Sequence, residues 1–221
     1  MSCPGFGAKY SAGNESRTGC DTWFASDRFF INKWQKIDNA KILIDTIKST
    51  FDEIGYKPHI VITGGEPLLY HNDRVFLDVV KFLINENLCL TFETNGTVFI
   101  DFSKFPVYKE CIFALSVKLS NSMEPEQKRI VPEALRSISV SAREYFLKFT
   151  IDSDSIIDGI ETEIERIRGL IPSAEVYCMP LGHDKKTLEK NDKAVFEFCV
   201  RHNYTYCDRL HIRIFNTSKG V

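Results

Sequence analysis

The sequence lacks any uninterrupted apolar segment as long as a membrane-spanning helix requires, and its first residues lack the basic-then-apolar order of a signal peptide. It also has no excess of basic residues, since 28 lysines and arginines stand against 30 aspartates and glutamates. Neither end carries a run of lysine or arginine. Binding to nucleic acid or to an anionic membrane through charge alone is therefore not expected. These absences predict a cytoplasmic protein that acts without a membrane and without direct contact with nucleic acid.

Internal repeats, linkers and low-complexity segments are also absent. With 43% hydrophobic and 26% charged residues, the composition is that of an ordinary globular protein. The 221 residues suffice for one domain of usual size, and a second domain would be cramped. We therefore expect a single domain over residues 1–221.

The seven cysteines are an odd number, and a disulfide framework is not expected in a reducing cytosol. Five of them are predicted to be structural, because a free cysteine in an apolar run usually behaves as a small hydrophobic residue. These five are Cys89, Cys111, Cys178, Cys199 and Cys207. Cys3 and Cys20 differ, because they flank a polar, glycine-containing stretch that is predicted to be a loop. Taken alone, they are compatible with a metal loop, half of a disulfide framework or no role.

Beyond Asp27, short apolar runs alternate with longer segments in which apolar residues recur at helical spacing. The predicted strands are 59–63, 89–94, 111–117, 145–151, 174–180 and 209–215. The predicted helices are 38–55, 73–85, 131–142, one that follows Ser153–Ser155, and 186–203. In the helix after Ser155, one apolar face is formed by Ile157, Ile160, Ile164 and Ile167. The alternation predicts an α/β fold with about six parallel strands in an open sheet or partial barrel, because a closed eight-stranded barrel needs more chain.

Polar or glycine-containing residues follow nearly every predicted strand. Gly64, Gly65 and Glu66 follow the first strand, and Asn95 and Lys118 follow the next two. Because ligands of such folds bind at the carboxyl ends of the strands, we expect a site there, where two glycines would leave the backbone open to a ligand. For any one of these loops, the alternative is that the same residues only form the turn.

Five segments in this order, TGGEPLL, FETNGT, SVKLSNS, MPLG and DRLHIRIF, resemble the radical S-adenosylmethionine (SAM) enzymes. More narrowly, the pattern is similar to the 7-carboxy-7-deazaguanine synthase family. The stretch CPGFGAKY and the later GCDTWFA, within residues 1–27, resemble the form of that family with an insertion in its cluster loop. GGEP is shared by the whole superfamily, whereas CDT and RLHI point to the narrower family. The resemblance covers essentially the whole chain and implies a partial (β/α) barrel of the radical SAM type.

The resemblance also implies three cofactors: a [4Fe–4S] cluster, SAM and Mg²⁺. In this superfamily the cluster leaves one iron open for the amino and carboxylate groups of SAM, whose cleavage yields a radical that abstracts hydrogen from the substrate. Cys3 and Cys20 match the middle and last cluster cysteines, and Thr22 matches a hydroxyl ligand of Mg²⁺.

The implied contacts of SAM are Gly64, Gly65, Glu66, Asn95, Ser116, Lys118 and Ser120. The implied contacts of the substrate are Thr63 and His211. Each role has a structural alternative: Thr22 could turn the loop, Asn95 could hold its turn, Lys118 could be solvated and His211 could be a structural residue of the last strand.

The first cluster cysteine of the family has no counterpart, because it would stand four residues before Cys3 and therefore before Met1. The strand and the glycine-containing substrate loop that precede the family motif have none either. The expectation is that Met1 is an internal methionine and that these parts lie upstream. The competing interpretation is a shorter chain that has lost cluster chemistry, and a third ligand from Cys89 or Cys111 is a weaker alternative.

The function implied by the resemblance is the radical rearrangement of 6-carboxy-5,6,7,8-tetrahydropterin to 7-carboxy-7-deazaguanine, with loss of ammonia, in deazapurine and queuosine biosynthesis. The implied partners are the pterin, an electron donor such as flavodoxin or ferredoxin, and a second copy in a homodimer. Three alternatives stay open: a glycyl-radical-activating enzyme, a catalytically impaired module that binds SAM or a partner, and a structural zinc protein. The last is disfavoured because it needs four ligands.

Overall fold

The computed structural model describes residues 8–19 and 23–217, which form a two-stranded hairpin and a six-stranded parallel sheet. The antiparallel hairpin pairs β1 (Ala8–Ala12) with β2 (Glu15–Gly19). The sheet has the spatial order β3, β4, β5, β6, β7, β8, which is also the chain order. Its strands are Ile60–Ile62, Leu90–Thr94, Ile112–Leu115, Glu144–Ile151, Glu175–Pro180 and Thr205–Tyr206. The predicted α/β class with six parallel strands is confirmed.

Helices connect the strands of the sheet, as parallel pairing requires, except between β4 and β5, where the connection contains the 3₁₀ helix Pro106–Glu110. The α-helices are α1 (Trp23–Ser26), α2 (Ala40–Ile54), α3 (Arg74–Asn85), α4 (Glu126–Arg129), α5 (Pro132–Ser141), α6 (Ser153–Ile157), α7 (Ile160–Arg168), α8 (Lys185–His202) and α9 (Leu210–Phe215). Side-chain caps begin several of them: Asn39 and Asp73 accept backbone N–H groups of α2 and α3, and Asp152 and Asp184 form capping boxes. None of the helices in the described part of the chain is long and apolar enough to cross a membrane.

The two faces of the sheet have different environments. One face packs against the helices and forms the core, in which Phe92, Phe113 and Phe149 are fully buried. Residues at the alternate positions of the strands point to the other, inner face, because successive side chains of a strand point to opposite sides. The inner face lines a cavity of about 650 Å³. The cavity therefore lies on the inner side of the curved sheet, away from the main core.

The predicted strand 209–215 is wrong. The sixth strand is Thr205–Tyr206, which pairs with Tyr177 and Cys178, and residues 210–215 form α9 instead. Arg213 explains the difference, because it forms ion pairs with Asp192 on α8 and with Asp208 and so holds this segment against the preceding helix.

Two further expectations need correction. The helix after Ser155 breaks at Gly159, which adopts a left-handed φ of 82°, so that Ile157 is 81% exposed while Ile160, Ile164 and Ile167 are buried. The stretch between Cys3 and Cys20, which was predicted to be a loop, contains the β1–β2 hairpin. Of the five cysteines expected to be structural, three are buried, whereas Cys89 and Cys207 are partly exposed.

Gly182 fixes the approach of α8 to the end of β7. A Cβ at this position would lie 2.7 Å from the backbone nitrogen of Leu188, which cannot move without displacing the helix. We expect Gly182→Ala to lower the free energy of unfolding by about 2 kcal/mol, as overpacking usually does. The measurement is the urea midpoint at constant m-value.

Gly55→Ala is the matched control, because Gly55 has a φ of 78° but no atom within 4 Å of an added Cβ. It should cost only about 1 kcal/mol, the conformational penalty of a left-handed alanine. If Gly182→Ala costs no more than this control, the close approach to Leu188 does not constrain the fold.

Candidate active site

The turn after β3 exposes its backbone at the carboxyl edge of the sheet. Gly64 and Gly65 have φ values of 89° and 58°, in the left-handed region that favours glycine. Both residues are exposed, and a Cβ at Gly64 would meet no atom within 4 Å. The glycines are therefore required by backbone conformation, and they leave an open backbone turn that a ligand can approach.

Glu66 joins this turn to the end of β4. Its Oε1 accepts hydrogen bonds from the Leu68 backbone N–H at 3.1 Å and from the Thr94 hydroxyl at 2.7 Å. Its Oε2 accepts one from the Asn95 backbone N–H at 2.7 Å. Burial raises the pKa of Glu66 above its ordinary value, because it outweighs these hydrogen bonds and the nearby charge of Lys118. Glu66 thus sets the geometry of the turn through three contacts within the protein.

The loops after β4 and β5 bring the next predicted residues to the same edge. Asn95 holds its own turn, because its Oδ1 accepts from the backbone N–H of Thr97 at 2.9 Å and from the Thr97 hydroxyl at 2.6 Å. Lys118 is half-buried and its ammonium lies 3.4 Å from the Ser116 hydroxyl. The loop turns that place these side chains are therefore internally hydrogen-bonded.

The loop after β5 is held by a buried ion pair beneath it. Arg129, whose side chain is 6% exposed, pairs with Glu163 and donates to the Lys118 carbonyl at 2.9 Å. Glu163 in turn accepts from the Ser120 backbone N–H at 2.9 Å. The backbone of this loop is consequently fixed from both sides.

Asn121 contributes a buried polar atom to the same edge. Its amide donates to the Thr150 carbonyl near the end of β6 at 3.2 Å. The amide oxygen, Oδ1, is buried and has no hydrogen-bond partner in the part of the chain that the structure describes. A buried acceptor without a partner marks a place where a ligand or water supplies the donor.

The inner face carries an ion pair that the sequence analysis missed. The Lys148 ammonium lies 2.6 Å from Glu93 Oε1, and the Thr63 hydroxyl donates to Glu93 Oε2 at 3.0 Å. Partial burial pushes the pKa of Glu93 upward, but the hydrogen bond and charge of Lys148, with the Thr63 hydroxyl, outweigh it, so that the pKa lies below its ordinary value. Glu93 lines the cavity. The sequence did carry a signal for this pair. Glu93 and Lys148 are charged residues within the otherwise mainly apolar strands β4 and β6, at positions that face away from the core.

The structure brings together most, but not all, of the predicted residues. At the carboxyl edge of β3, β4 and β5 lie Thr63, Gly64, Gly65, Glu66, Asn95, Ser116, Lys118 and Ser120. His211 is exposed on α9, and not in a strand as predicted. Cys3, Cys20 and Thr22 lie outside the described residues.

Cys89 and Cys111, the alternative third cluster ligands, stand at the wrong edge of the sheet. Each immediately precedes a strand, β4 and β5 respectively, so that both lie at the amino edge, opposite the glycine turn. Cys111 is also fully buried, which raises the pKa of its thiol to about 12. Neither position favours participation in a site at the carboxyl edge.

Comparisons with known proteins give a consistent result. The chain is 26% identical over 213 residues to the 7-carboxy-7-deazaguanine synthase of Rhodopirellula baltica, covering 91% of this chain and 75% of that protein. It is 28% identical over 219 residues to the enzyme of the same name from Halobacterium salinarum, covering 90% and 80%. The chain is thus similar in sequence to 7-carboxy-7-deazaguanine synthases. No family model matches the chain.

Solved structures share the fold of this chain. The crystal structure of Streptococcus suis SuiB bound to S-adenosylmethionine superposes with a TM-score of 0.51 at 12% identity, over 79% of this chain and 44% of SuiB. A second SuiB structure gives a TM-score of 0.52 and covers the same shares of the two chains. The chain thus spans less than half the length of SuiB, and at this identity the likeness concerns the fold alone. The predicted radical SAM type of partial barrel is confirmed.

The described residues at the carboxyl edge fit SAM. The open backbone at Gly64 and Gly65 suits its polar amino-acid part, and Asn121 Oδ1, which no described residue hydrogen-bonds, suits a donor group. The described residues contain no group of three or more histidine, cysteine or acidic side chains arranged for a metal ion.

Proposed function

We propose that this protein is a radical SAM enzyme that converts 6-carboxy-5,6,7,8-tetrahydropterin to 7-carboxy-7-deazaguanine and ammonia. The observation that carries the proposal is the position of Thr63, Glu93 and Lys148. They form a polar group on the inner face, directly beside the glycine turn, in a chain whose relatives bear the name of this synthase.

Glu93 suits recognition of a pterin. A carboxylate accepts hydrogen bonds only, and the aminopyrimidinone part of a pterin presents adjacent N–H donors. The low pKa of Glu93 keeps this acceptor ionised at neutral pH. The Lys148 charge compensates the carboxylate, and Thr63 fixes the orientation of its second oxygen. The apolar part of the cavity, including Val61 on β3, Ala114 on β5 and Phe146 on β6, suits the flat ring.

The cofactor positions follow from the resemblance and the fit. Cys3 and Cys20 would hold the cluster, Thr22 would bind Mg²⁺, and the Gly64–Gly65 backbone would bind SAM. When bound, the reduced cluster and SAM supply the radical that abstracts a substrate hydrogen. The chain's own residues orient the pterin and hold the turn next to it. The reductant, a flavodoxin or ferredoxin, the homodimer, the cytoplasmic location and a single domain over residues 1–221 belong to the same proposal.

The test is turnover by the full chain after anaerobic reconstitution with iron and sulfide. With SAM, Mg²⁺, dithionite and the carboxypterin, we expect 7-carboxy-7-deazaguanine and ammonia in equal amounts, measured by mass spectrometry and an ammonia assay. SAM cleavage without pterin turnover would favour a glycyl-radical-activating enzyme. Absence of both bound iron and SAM cleavage would favour a binding module.

A further inference from the structure

Asn121 lies in the short 3₁₀ turn Ser120–Ser122, directly after β5. Its side-chain N–H donates to the Thr150 carbonyl, which fixes the orientation of the amide. If the amide were rotated by 180°, Oδ1 would face the Thr150 carbonyl, and two acceptor oxygens would oppose each other. Among the residues that the structure describes, the atom without a partner is therefore the oxygen, and the group it requires is a hydrogen-bond donor.

The turn that carries Asn121 is held in place on both sides. The Ser122 hydroxyl donates to the Leu119 carbonyl at 2.6 Å, and the Ser120 backbone N–H donates to Glu163. Arg129 is bound to Glu163 and to the Lys118 carbonyl. Because its backbone is fixed and its amide is tied to Thr150, Asn121 presents its acceptor in one position.

The location identifies which part of SAM can reach this acceptor. Asn121 bridges the ends of β5 and β6, whereas the glycine turn follows β3. With neighbouring strands spaced by about 4.8 Å, the two places are separated by roughly 12 Å along the carboxyl edge. If the amino-acid part of SAM lies at the glycine turn, the far end of the molecule is the adenine base. Its exocyclic amine is a donor, as Oδ1 requires.

We propose that Asn121 is a specificity-determining residue whose Oδ1 accepts a hydrogen bond from the exocyclic amine of the SAM adenine. This inference rests on the proposed function, because it takes SAM as the ligand. It goes further in assigning base recognition to one side chain that the family resemblance did not single out. An acceptor at this position selects the adenine amine against the carbonyl of hypoxanthine, which would oppose oxygen to oxygen.

The test compares S-adenosylhomocysteine with S-inosylhomocysteine, in which a carbonyl replaces the amine. Their dissociation constants are measured by equilibrium dialysis with the reconstituted full chain, and SAM is measured in parallel. The wild-type protein should prefer the adenosyl compound by about tenfold or more, the effect of one hydrogen bond. Asn121→Ala should abolish that preference, chiefly by weakening the binding of the adenosyl compound.

Asn85→Ala, at an exposed position at the end of α3, is the matched control and should keep the full preference. Thermal unfolding of each variant checks that it is folded. The inference is overturned if the wild-type protein does not discriminate, or if Asn121→Ala discriminates as well as wild type. The inference is also overturned if Asn121→Ala weakens the binding of both compounds by the same factor.

The result separates this inference from the proposed reaction. An Asn121-dependent preference without pterin turnover would support the inference and count against the reaction. Pterin turnover with a preference for the adenosyl compound that does not depend on Asn121 would support the reaction and count against the inference. If neither nucleoside nor SAM binds, both proposals fail.

Discussion

Replacing Glu93 with glutamine is expected to lower kcat/KM for the carboxypterin by about 100-fold, which corresponds to roughly 3 kcal/mol. The substitution keeps the size of the side chain but turns one acceptor oxygen into an NH₂ donor. That donor would oppose either the Lys148 ammonium or the N–H groups of the substrate. The measurement is steady-state turnover, with equilibrium binding of the pterin as a second readout that does not depend on cluster chemistry.

The matched control for this prediction is Glu175→Gln. Glu175 lines the same cavity but at its other end, is exposed, and accepts a hydrogen bond from the neighbouring Tyr177 hydroxyl. Pterin binding and turnover should change little in this variant. Equal losses in both variants, or an unchanged Glu93→Gln enzyme, would show that the substrate does not meet Glu93.

Lys148→Met extends the same prediction to pH dependence. In the wild-type protein the pKa of Glu93 lies below its ordinary value, so its contribution to stability is present above the unfolded pKa and is lost as pH falls through the folded pKa. Without Lys148, burial dominates and should raise the pKa of Glu93 above its ordinary value. The variant should therefore lose more stability relative to wild type at pH 7 than at pH 4, as measured by urea midpoints.

The strands with long apolar runs could be predicted from the sequence, and the last strand could not. Residues 145–151 and 174–180 are buried on at least one face, and most of their residues are apolar. Thr205–Tyr206 is too short to carry a pattern. The segment 209–215 alternates as a strand would, but the charge pairs of Arg213 with Asp192 and Asp208 hold it as a helix. Those pairs depend on tertiary contacts.

The site was predictable in part for a similar reason. The glycine turn stands in the sequence as a contiguous motif after an apolar run, and the backbone conformation of Gly64 and Gly65 follows from residue type. Glu93 and Lys148 are 55 residues apart and lie on strands separated by β5. Neither residue indicates its partner until the sheet order is known. The same holds for Asn121, whose free acceptor is defined by its contact with Thr150, 29 residues away.

Replacing Cys20 with alanine is expected to reduce bound iron to background and to abolish SAM cleavage. A thiolate is the ligand that holds a [4Fe–4S] cluster, and Cys20 is the residue that the resemblance matches to the last cysteine of the motif. Cys3→Ala should have the same effect. The measurements are iron per chain and the charge-transfer absorbance of the cluster after anaerobic reconstitution, followed by detection of 5′-deoxyadenosine.

The control for both variants is Cys89→Ala, because Cys89 lies at the amino edge of the sheet and should leave iron content unchanged. Cys207 is the informative third position. It directly follows β8 at the carboxyl edge, and its backbone N–H donates to the Cys178 carbonyl at 2.8 Å. Burial raises the pKa of its thiol, and the charges of Lys148, Asp208 and Glu93 also act on it. Retention of iron in Cys207→Ala would show that Cys207 is not a cluster ligand and would leave Cys3 and Cys20 as the proposed ligands. Loss of iron in that variant, with Cys89→Ala unaffected, would mean that the last strand completes the ligand set.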